Sequence, residues 1–184
     1  WLLVAGGPHA TAVPAEPLRF GFDTVVAGEG EMAFADIVDG LSRGTPPPRM
    51  VRAQAIAELD ALPFPHLAAR LYDPAWYGAA TAAGLVLSRG CPARCTFCAN
   101  HVTGRRVRFR SPLSVVAELN AFHGLTGVEF IPFWDDAFTA HEGQTLALCA
   151  ALERSLDFPL QFSAVTRATL VNPTVLAALR RAGC

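Results

Sequence analysis

The chain has 184 residues, of which 52% are hydrophobic and 17% are charged, and its formal net charge is -1. This length supports one full domain or two partial domains with a hydrophobic core, and the near-neutral charge provides no general attraction for nucleic acid. The sequence has no run of about 18 apolar residues, and it begins WLLVAGGP without the features of a signal peptide, so we expect no membrane span and a cytoplasmic protein.

The first predicted elements are two short buried strands and one helix. WLLVA (1–5) and DTVVA (23–27) are apolar runs that contain β-branched residues, as buried strands do. After GEGE, a helix is predicted from about Glu31 to Leu41, with one apolar face formed by Phe34, Ile37, Val38 and Leu41. Because the chain begins without Met and inside an apolar run, we expect it to start partway through a domain.

Proline-rich sequence separates the two halves of the chain. RGTPPPR (43–49) and LPFPHL (62–67) both break regular structure. We therefore predict a partial domain over residues 1–45, a connector with little regular structure over residues 46–80, and a second domain over residues 81–184.

Strand and helix patterns alternate three times in the second domain. The predicted strands are GLVLS (84–88), VEFIPF (128–133) and LQFSAV (160–165). Helices are expected from the N-cap Ser111 to just before Gly124, from about Glu142 to Leu156, and from Asn172 to Gly183. This order is typical of a parallel sheet with right-handed crossovers, and three such units are too few to close a barrel.

Three of the five cysteines, Cys91, Cys95 and Cys98, lie on the loop after the first of these strands. Ligand sites in parallel α/β folds lie at the carboxyl ends of the strands. Three thiolates within eight residues suit one face of a [4Fe-4S] cluster, which normally takes four cysteines, so one iron would keep an open position. This spacing favours a metal site in a reducing compartment over a disulfide framework. Cys149 lies on the apolar face of its helix and is predicted to pack in the core.

A zinc site is the competing interpretation of the same loop. His101 follows Cys98 by three positions, so a Cys3His ligand set could form. Structural zinc usually takes its ligands from two separated segments, whereas here all four lie in one short loop. We therefore expect an iron–sulfur cluster and keep zinc as the alternative.

The segment SRGCPARCTFC (88–98), placed after a strand, resembles the cluster motif of radical S-adenosylmethionine (SAM) enzymes. Further segments resemble the cobalamin-binding branch of that family: GGPHAT (6–11), VVAGEGE (25–31), LPFP (62–65), RFRSP (108–112), DDAF (135–138) and RRAGC (180–184). They keep the family's order and cover nearly the whole chain. The resemblance implies an α/β fold in which the C-terminal part of a Rossmann-like cobalamin-binding domain precedes the first half of a partial (βα)6 radical SAM barrel.

The resemblance also implies a reaction. The open iron would bind SAM, and reductive cleavage of SAM would give a 5′-deoxyadenosyl radical. That radical would abstract hydrogen from an unactivated carbon of a small-molecule or natural-product substrate. Cobalamin-dependent methyl transfer or ring formation would follow, with a reductant such as flavodoxin or ferredoxin.

The resemblance places SAM beside Phe97, Asp135, Asp136 and Arg167. The two aspartates follow the second strand of the predicted barrel, where the family meets the methionyl ammonium of SAM, and an anion there would complement that cation. Gly-Gly-Glu is more widespread than Asp-Asp at this position in the family. From the residues alone, the aspartates could form a solvated turn or cap the next helix, and Arg167 could bind an anion or cap a loop.

Glycine-rich turns after the two N-terminal strands form the predicted cobalamin edge. The resemblance assigns Gly6, Gly7, Gly28, Glu29 and Gly30 to this edge, where a side chain at the first glycine pair would collide with the cofactor. Ordinary turns explain the same residues without a cofactor. GEGEMA (28–33) also matches a dinucleotide fingerprint, but its acidic side chains would repel a pyrophosphate.

Four arginines form a local basic run: Arg105, Arg106, Arg108 and Arg110. A structural role, or contact with the SAM carboxylate, is preferred over RNA binding because the rest of the chain supplies no matching patch, so nucleic acid is not an expected partner. Two functions of other classes stay open. One is a non-catalytic iron–sulfur electron-transfer module, against which the missing fourth cysteine argues. The other is a zinc-stabilised RNA-binding domain.

Overall fold

The computed structural model describes residues 1–65 and 84–184, apart from the side chains of His101 and Thr103. The chain forms two compact units, each built from strands and helices. The first unit combines Trp1–Ala57 with Arg94–Arg105, and the second combines Glu58–Ala93 with Arg106–Cys184. Within the described ranges, no helix is long and apolar enough to cross a membrane.

A three-stranded parallel sheet forms the centre of the first unit. Its strands are β1 (Val4–Ala5), β2 (Thr24–Ala27) and β3 (Met50–Arg52), in the order β1-β2-β3. Every residue of β2 is buried, as its apolar run predicted. The helices of this unit are α1 (Gly7–Ala12), α2 (Ala15–Arg19), α3 (Gly30–Ser42) and α4 (Asn100–Thr103), and α4 packs against α1.

Four elements of the first unit lie where no regular structure was predicted: α1, α2, α4 and β3. α1 and α2 have six and five residues, too few for a helical period to show, and each contains a proline in its first turns. β3 lies inside the predicted connector, and the first compact unit continues past residue 45 to Ala57. The connector beyond residue 65 and the predicted domain start at residue 81 lie outside the described residues.

The helix predicted from about Glu31 to Leu41 is present as α3, but its apolar stripe is only partly covered. Ile37 is buried, whereas Phe34, Val38 and Leu41 are exposed. α3 packs on β2, and a sheet of three strands covers only the part of the helix around Ile37. The apolar period therefore predicted the helix correctly, while the covered face depended on the width of the sheet.

Gly28 lies where the ends of β2 and β3 approach each other closely. Its φ of +111° falls in the region that favours glycine, and a Cβ at this position would lie 2.3 Å from the carbonyl oxygen of Ala53. The N–H of Ala53 donates to the carbonyl of Ala27 at 2.8 Å, which fixes the approaching backbone. Backbone conformation and lack of space both require glycine here.

The second unit contains two of the three predicted strands and all three predicted helices, whereas the first predicted strand, 84–88, is present only as a parallel bridge at Leu85 before a bend at Leu87. It begins with a short antiparallel pair, β4 (Ser88–Arg89) and β5 (Arg108–Phe109), which was not predicted. β6 (Phe130–Phe133) and β7 (Gln161–Ala164) pair in parallel, and Leu85 forms a parallel bridge to Phe133. The helices are α5 (Pro112–Thr126), α6 (Glu142–Ser155) and α7 (Pro173–Arg181).

Local sequence signals explain where these helices begin and end. The Ser111 hydroxyl accepts a hydrogen bond from the N–H of Ser114 at 3.2 Å, which confirms the predicted N-cap of α5. The predicted end before Gly124 was wrong, because α5 runs to Thr126. Gly127, with a φ of +67°, is the residue that ends it, and its N–H donates to the His123 carbonyl at 2.7 Å.

One hydrophobic core lies between the parallel strands and the helices of the second unit. Ile131 and Phe133 of β6 are buried in it, whereas Phe130 and Trp134 are exposed. Burial does not alternate strictly along β6, because Pro132 between the two core residues is buried as well. Cys149 is 1% exposed, which confirms that it packs in this core. The helices therefore cover one face of the strands, and the carboxyl ends of the strands carry the polar residues discussed below.

Replacement of Gly28 by alanine tests the close approach of β2 and β3. We expect Gly28→Ala to lower the free energy of unfolding by about 3 kcal/mol, because strain at positive φ and overpacking act together. Gly21→Ala is the matched control: its φ is +94°, but nothing lies within 4 Å of an added Cβ, so we expect a loss of about 1 kcal/mol from strain alone. Urea unfolding measures both values, and equal losses would contradict the assignment.

Candidate functional site

The candidate site is the chain segment that leads from Leu85 into the cysteine loop. The Leu85 N–H donates to the Pro132 carbonyl at 3.0 Å, and the Trp134 N–H donates to the Leu85 carbonyl at 2.8 Å. The segment then bends at Leu87 and continues as β4. Gly90 has a φ of +96°, which favours glycine and turns the chain away from β4. Cys91, the first cysteine of the loop, follows directly and is buried.

Asp135 holds this segment from the side of β6. Its Oδ2 accepts from the N–H of Leu87 at 3.0 Å, and its Oδ1 accepts from the N–H of Ser88 at 2.6 Å and from the Ser88 hydroxyl. The residue is only 4% exposed. Burial raises the pKa of Asp135, the charge of Asp136 adds to this effect, and the hydrogen bonds from Ser88 and Leu87 oppose it.

Arg110 holds the same segment from the other side. Its backbone N–H donates to the carbonyl of Leu87 at 2.8 Å, and its guanidinium donates to the carbonyl of Val86 at 3.3 Å. The guanidinium also forms a buried ion pair with Glu118 of α5 and donates to the Ser114 hydroxyl at 3.0 Å. Of the two non-RNA roles predicted for the basic run, Arg110 therefore has the structural one.

The LPFP and RFRSP segments meet in the second unit. The guanidinium carbon of Arg110 lies 5.6 Å from the centre of the Phe64 ring, a cation–π distance. Asp60 accepts from the N–H of Ser111 at 2.9 Å. Burial tends to raise the pKa of Asp60, but hydrogen bonds from Ser111 and Ser114 and the charge of Arg110 together lower it. This part of the connector is thus anchored on the start of α5.

The three loop cysteines are thiols, and none of the described cysteines forms a disulfide. Cys91 belongs to the second unit, whereas Cys95 and Cys98 belong to the first, where the N–H of Cys98 donates to the Cys95 carbonyl at 3.2 Å. Among the side chains that are described, no three of His, Cys, Asp and Glu converge on a metal position. The side chain of His101, on which the zinc alternative depends, lies outside that description.

The donor set fits an iron–sulfur cluster by its chemistry. Three thiols on an eight-residue loop match the sulfur ligands that such clusters take, and each cysteine of a cubane binds a different iron, so they need not meet at one ion. Phe97, between Cys95 and Cys98, is 92% exposed in the described structure. It does not cover the loop there, and its place beside SAM stays a prediction.

The structure separates the two aspartates that the sequence presented as a pair. Asp135 is buried, and both of its oxygens accept hydrogen bonds from the strand segment, whereas Asp136 is exposed. Arg167 lies after β7, at the start of the 3-10 turn Ala168–Leu170, and is exposed. The carboxyl ends of two neighbouring parallel strands therefore carry Asp136 and Arg167.

The predicted cobalamin residues surround the carboxyl ends of β1 and β2 in the first unit. Gly6 is the N-cap of α1, and Gly7 has a φ of +90° with nothing within 4 Å of an added Cβ. The N–H of Gly28 donates to the Thr11 hydroxyl at 3.0 Å, and Glu29 accepts from the N–H of Ile56 at 2.7 Å. Gly30 begins α3. Gly28 and Glu29 thus have structural roles of their own, while Gly7 borders open space.

Several residues of the site were missed because their partners are distant in sequence. Ser88 and Asp135 are 47 residues apart, and Asp60 and Ser111 are 51 residues apart. Arg110 and Glu118 are only eight residues apart. Arg110 lies before α5, however, so helical spacing could not predict its contact with Glu118. The only sequence feature that pointed to Thr11 was its position in the GGPHAT segment.

The chain matches a known family over its second half. The profile of the radical SAM superfamily matches residues 85–184. This range begins at the residue that bridges to β6 and includes the cysteine loop, β4 to β7 and α5 to α7.

Three curated relatives match most of this chain. An uncharacterized methyltransferase of Pyrococcus horikoshii is 29% identical over 203 residues, which cover 99% of this chain and 43% of that protein. An uncharacterized methyltransferase of Synechocystis is 30% identical over 166 residues, 88% of this chain and 30% of that protein. The anaerobic magnesium-protoporphyrin IX monomethyl ester cyclase of Cereibacter sphaeroides is 27% identical over 212 residues, 99% of this chain and 34% of that protein. The chain spans less than half the length of each.

Solved structures of one protein share the fold. The radical S-adenosylmethionine methyltransferase TsrM from Kitasatospora setae, with tryptophan substrate and a SAM analog bound, matches with a TM-score of 0.75 at 21% identity, over 98% of this chain and 40% of that chain. Its structure with cobalamin and a [4Fe-4S] cluster matches with a TM-score of 0.71 at 19% identity, over the same shares. At these identities the likeness is one of fold.

Alkylation by iodoacetamide at pH 8 distinguishes the loop cysteines from the core cysteine. Burial, with the nearby charge of Glu153, raises the pKa of Cys149 to about 11, so only about 0.1% of it is thiolate at pH 8. We expect the partly exposed Cys95 and Cys98 of the metal-free chain to react at least about tenfold faster. Peptide mass spectrometry measures the rates, with urea-unfolded chain as the control. Equal rates in the folded chain would contradict the assignment.

Proposed function

Because the chain belongs to the radical SAM superfamily, we propose that it is the cluster-bearing part of a radical SAM enzyme and that Cys91, Cys95 and Cys98 hold a [4Fe-4S] cluster. The observation that carries the proposal is the place of the three thiols. They follow a strand segment that is held on both sides by hydrogen bonds, within the range that matches the family.

The chain's own residues would hold and orient the cosubstrate. The chemistry that the cluster supplies when bound is one-electron reduction of SAM, which yields the 5′-deoxyadenosyl radical. Three thiolates leave one iron open to the cosubstrate. Asp136 is exposed at the end of β6 and can face the methionyl ammonium, and Arg167 after β7 can bind the carboxylate. Phe97, between Cys95 and Cys98, would lie beside the bound SAM.

The first unit would contribute the cobalamin edge. Its parallel sheet and the open space at Gly7 support a Rossmann-like domain that binds a large cofactor at the carboxyl ends of its strands. Gly6, Gly7 and Gly30 would allow the close approach of the cofactor, and Gly28 and Glu29 would shape the loop beside it. The second unit would then be the first half of a partial (βα)6 barrel.

The reaction we propose is cobalamin-dependent methyl transfer or ring formation on an unactivated carbon. Two of the relatives are named methyltransferases and one is named a cyclase, which supports these two outcomes. The substrate would be a small molecule or natural product, and flavodoxin or ferredoxin would supply electrons.

Anaerobic reconstitution with iron and sulfide tests the cluster ligands. We expect about four irons per chain in the wild type, and less than about a tenth of the wild-type iron in Cys91→Ala, Cys95→Ala and Cys98→Ala, since each removes a ligand. Cys149→Ala is the matched control and should keep its iron, because Cys149 lies in the core. Iron analysis gives the content, and EPR of the reduced cluster should change when SAM is added.

Two results would contradict the proposal in different ways. A cluster whose EPR signal is indifferent to SAM indicates an electron-transfer module. A chain that takes up zinc but no iron indicates a zinc-stabilised domain.

A further inference from the structure

The segment that leads from Leu85 into the cysteine loop pairs with β6 through backbone hydrogen bonds at Leu85 only. Leu85 makes both of its hydrogen bonds with the chain of β6, through Pro132 and Trp134. In a regular parallel ladder, the next bond would run from the N–H of Leu87 to the backbone carbonyl of residue 134. The N–H of Leu87 instead donates to the side chain of Asp135. A carboxylate therefore takes the place of the backbone where the two strands separate.

Two consecutive N–H groups converge on this carboxylate. In a regular strand, the N–H groups of neighbouring residues point to opposite sides. The N–H groups of Leu87 and Ser88 both donate to Asp135, so the chain bends between them, and Leu87 is a bend in the structure. Beyond the bend, Ser88 and Arg89 pair with β5 instead of β6. The bend therefore transfers the chain from one strand partner to another.

The bend lies three residues before the first cysteine. Ser88 is 3% exposed and Cys91 is 6% exposed. Because both are closely packed, a change of backbone direction at the bend would also move Cys91. Without the carboxylate, two N–H groups and one hydroxyl would be buried without acceptors, which is costly. The direction in which the cysteine loop leaves the sheet thus depends on Asp135.

We propose that Asp135 is a positioning residue for the cysteine loop, whose carboxylate fixes the bend at Leu87 and Ser88 and so sets the place of Cys91, and that Asp136 alone of the pair remains available to a ligand. The proposal rests on the function proposed above. It assigns different roles to two adjacent carboxylates, because one is enclosed by three donors and the other is exposed.

The test compares Asp135→Asn, Ser88→Ala and Asp136→Asn with the wild type after anaerobic reconstitution with iron and sulfide. Asp135→Asn keeps the shape of the side chain but directs an amide donor at other donors. Ser88→Ala removes only the hydroxyl bond. The measurements are the rate of iron loss to EDTA, the g-values of the reduced cluster with and without SAM, and circular dichroism to record folding.

We expect Asp135→Asn to lose iron about tenfold faster than the wild type, with shifted g-values before SAM is added. Ser88→Ala should change the rate of iron loss and the g-values in the same direction as Asp135→Asn, but by a smaller amount. Asp136→Asn should keep the wild-type rate of iron loss and the wild-type g-values, and should weaken only the response to SAM. A shift in g-values separates positioning of the loop from general stabilisation, since a loss of stability alone would not change the cluster's environment.

Wild-type iron retention and g-values in both Asp135→Asn and Ser88→Ala would overturn the inference, and so would faster iron loss in Asp136→Asn than in Asp135→Asn. If Asp135→Asn fails to fold, Ser88→Ala decides by the same two measurements. A wild-type chain that takes up no iron would overturn the proposed function and this inference with it, whereas a wild-type cluster that responds to SAM leaves the variants to decide the inference alone.

Discussion

The second unit depends on keeping the polar groups of one buried strand segment satisfied on both sides. Asp135 accepts from Leu87 and Ser88 on the side of β6, and Arg110 donates to Val86 and Leu87 on the side of β5. Both are charged groups in a largely apolar surrounding, where hydrogen bonds are strong and unpaired groups are costly. The segment is therefore fixed up to the point where the cysteine loop begins.

The cysteine loop and the order of the elements could be predicted from the sequence, because both depend on local spacing. The spacing of Cys91, Cys95 and Cys98 is enough to predict a metal site. The alternation of strands and helices predicted the parallel pairing of β6 with β7. The core position of Cys149 followed from the helical period. The aspartate pair was also found, but its two members could not be told apart, since burial of one and exposure of the other are decided by the packing of β6 against the Leu85 segment.

What could not be predicted depends on contacts between distant segments or on very short elements. β3 has three residues beside a run of prolines, and only its pairing with β2 makes it a strand. The ion pair between Arg110 and Glu118 joins a residue of the basic run to a buried position of α5, and nothing in the local sequence indicates that contact. The sequence assigned Gly28 to a cofactor edge. The structure gives a second reason for glycine at this position, because the carbonyl of Ala53 leaves no space for a side chain. Such residues serve the fold and the proposed site together.

The central claim is that three thiolates hold a four-iron cluster that leaves one iron open to SAM. Mössbauer spectroscopy of the chain reconstituted with 57Fe tests this most directly, because it observes each iron. The account predicts that about one iron in four is distinct and that its isomer shift changes when SAM is added, while the others keep theirs. Four equivalent irons whose spectrum is the same with and without SAM would contradict the account.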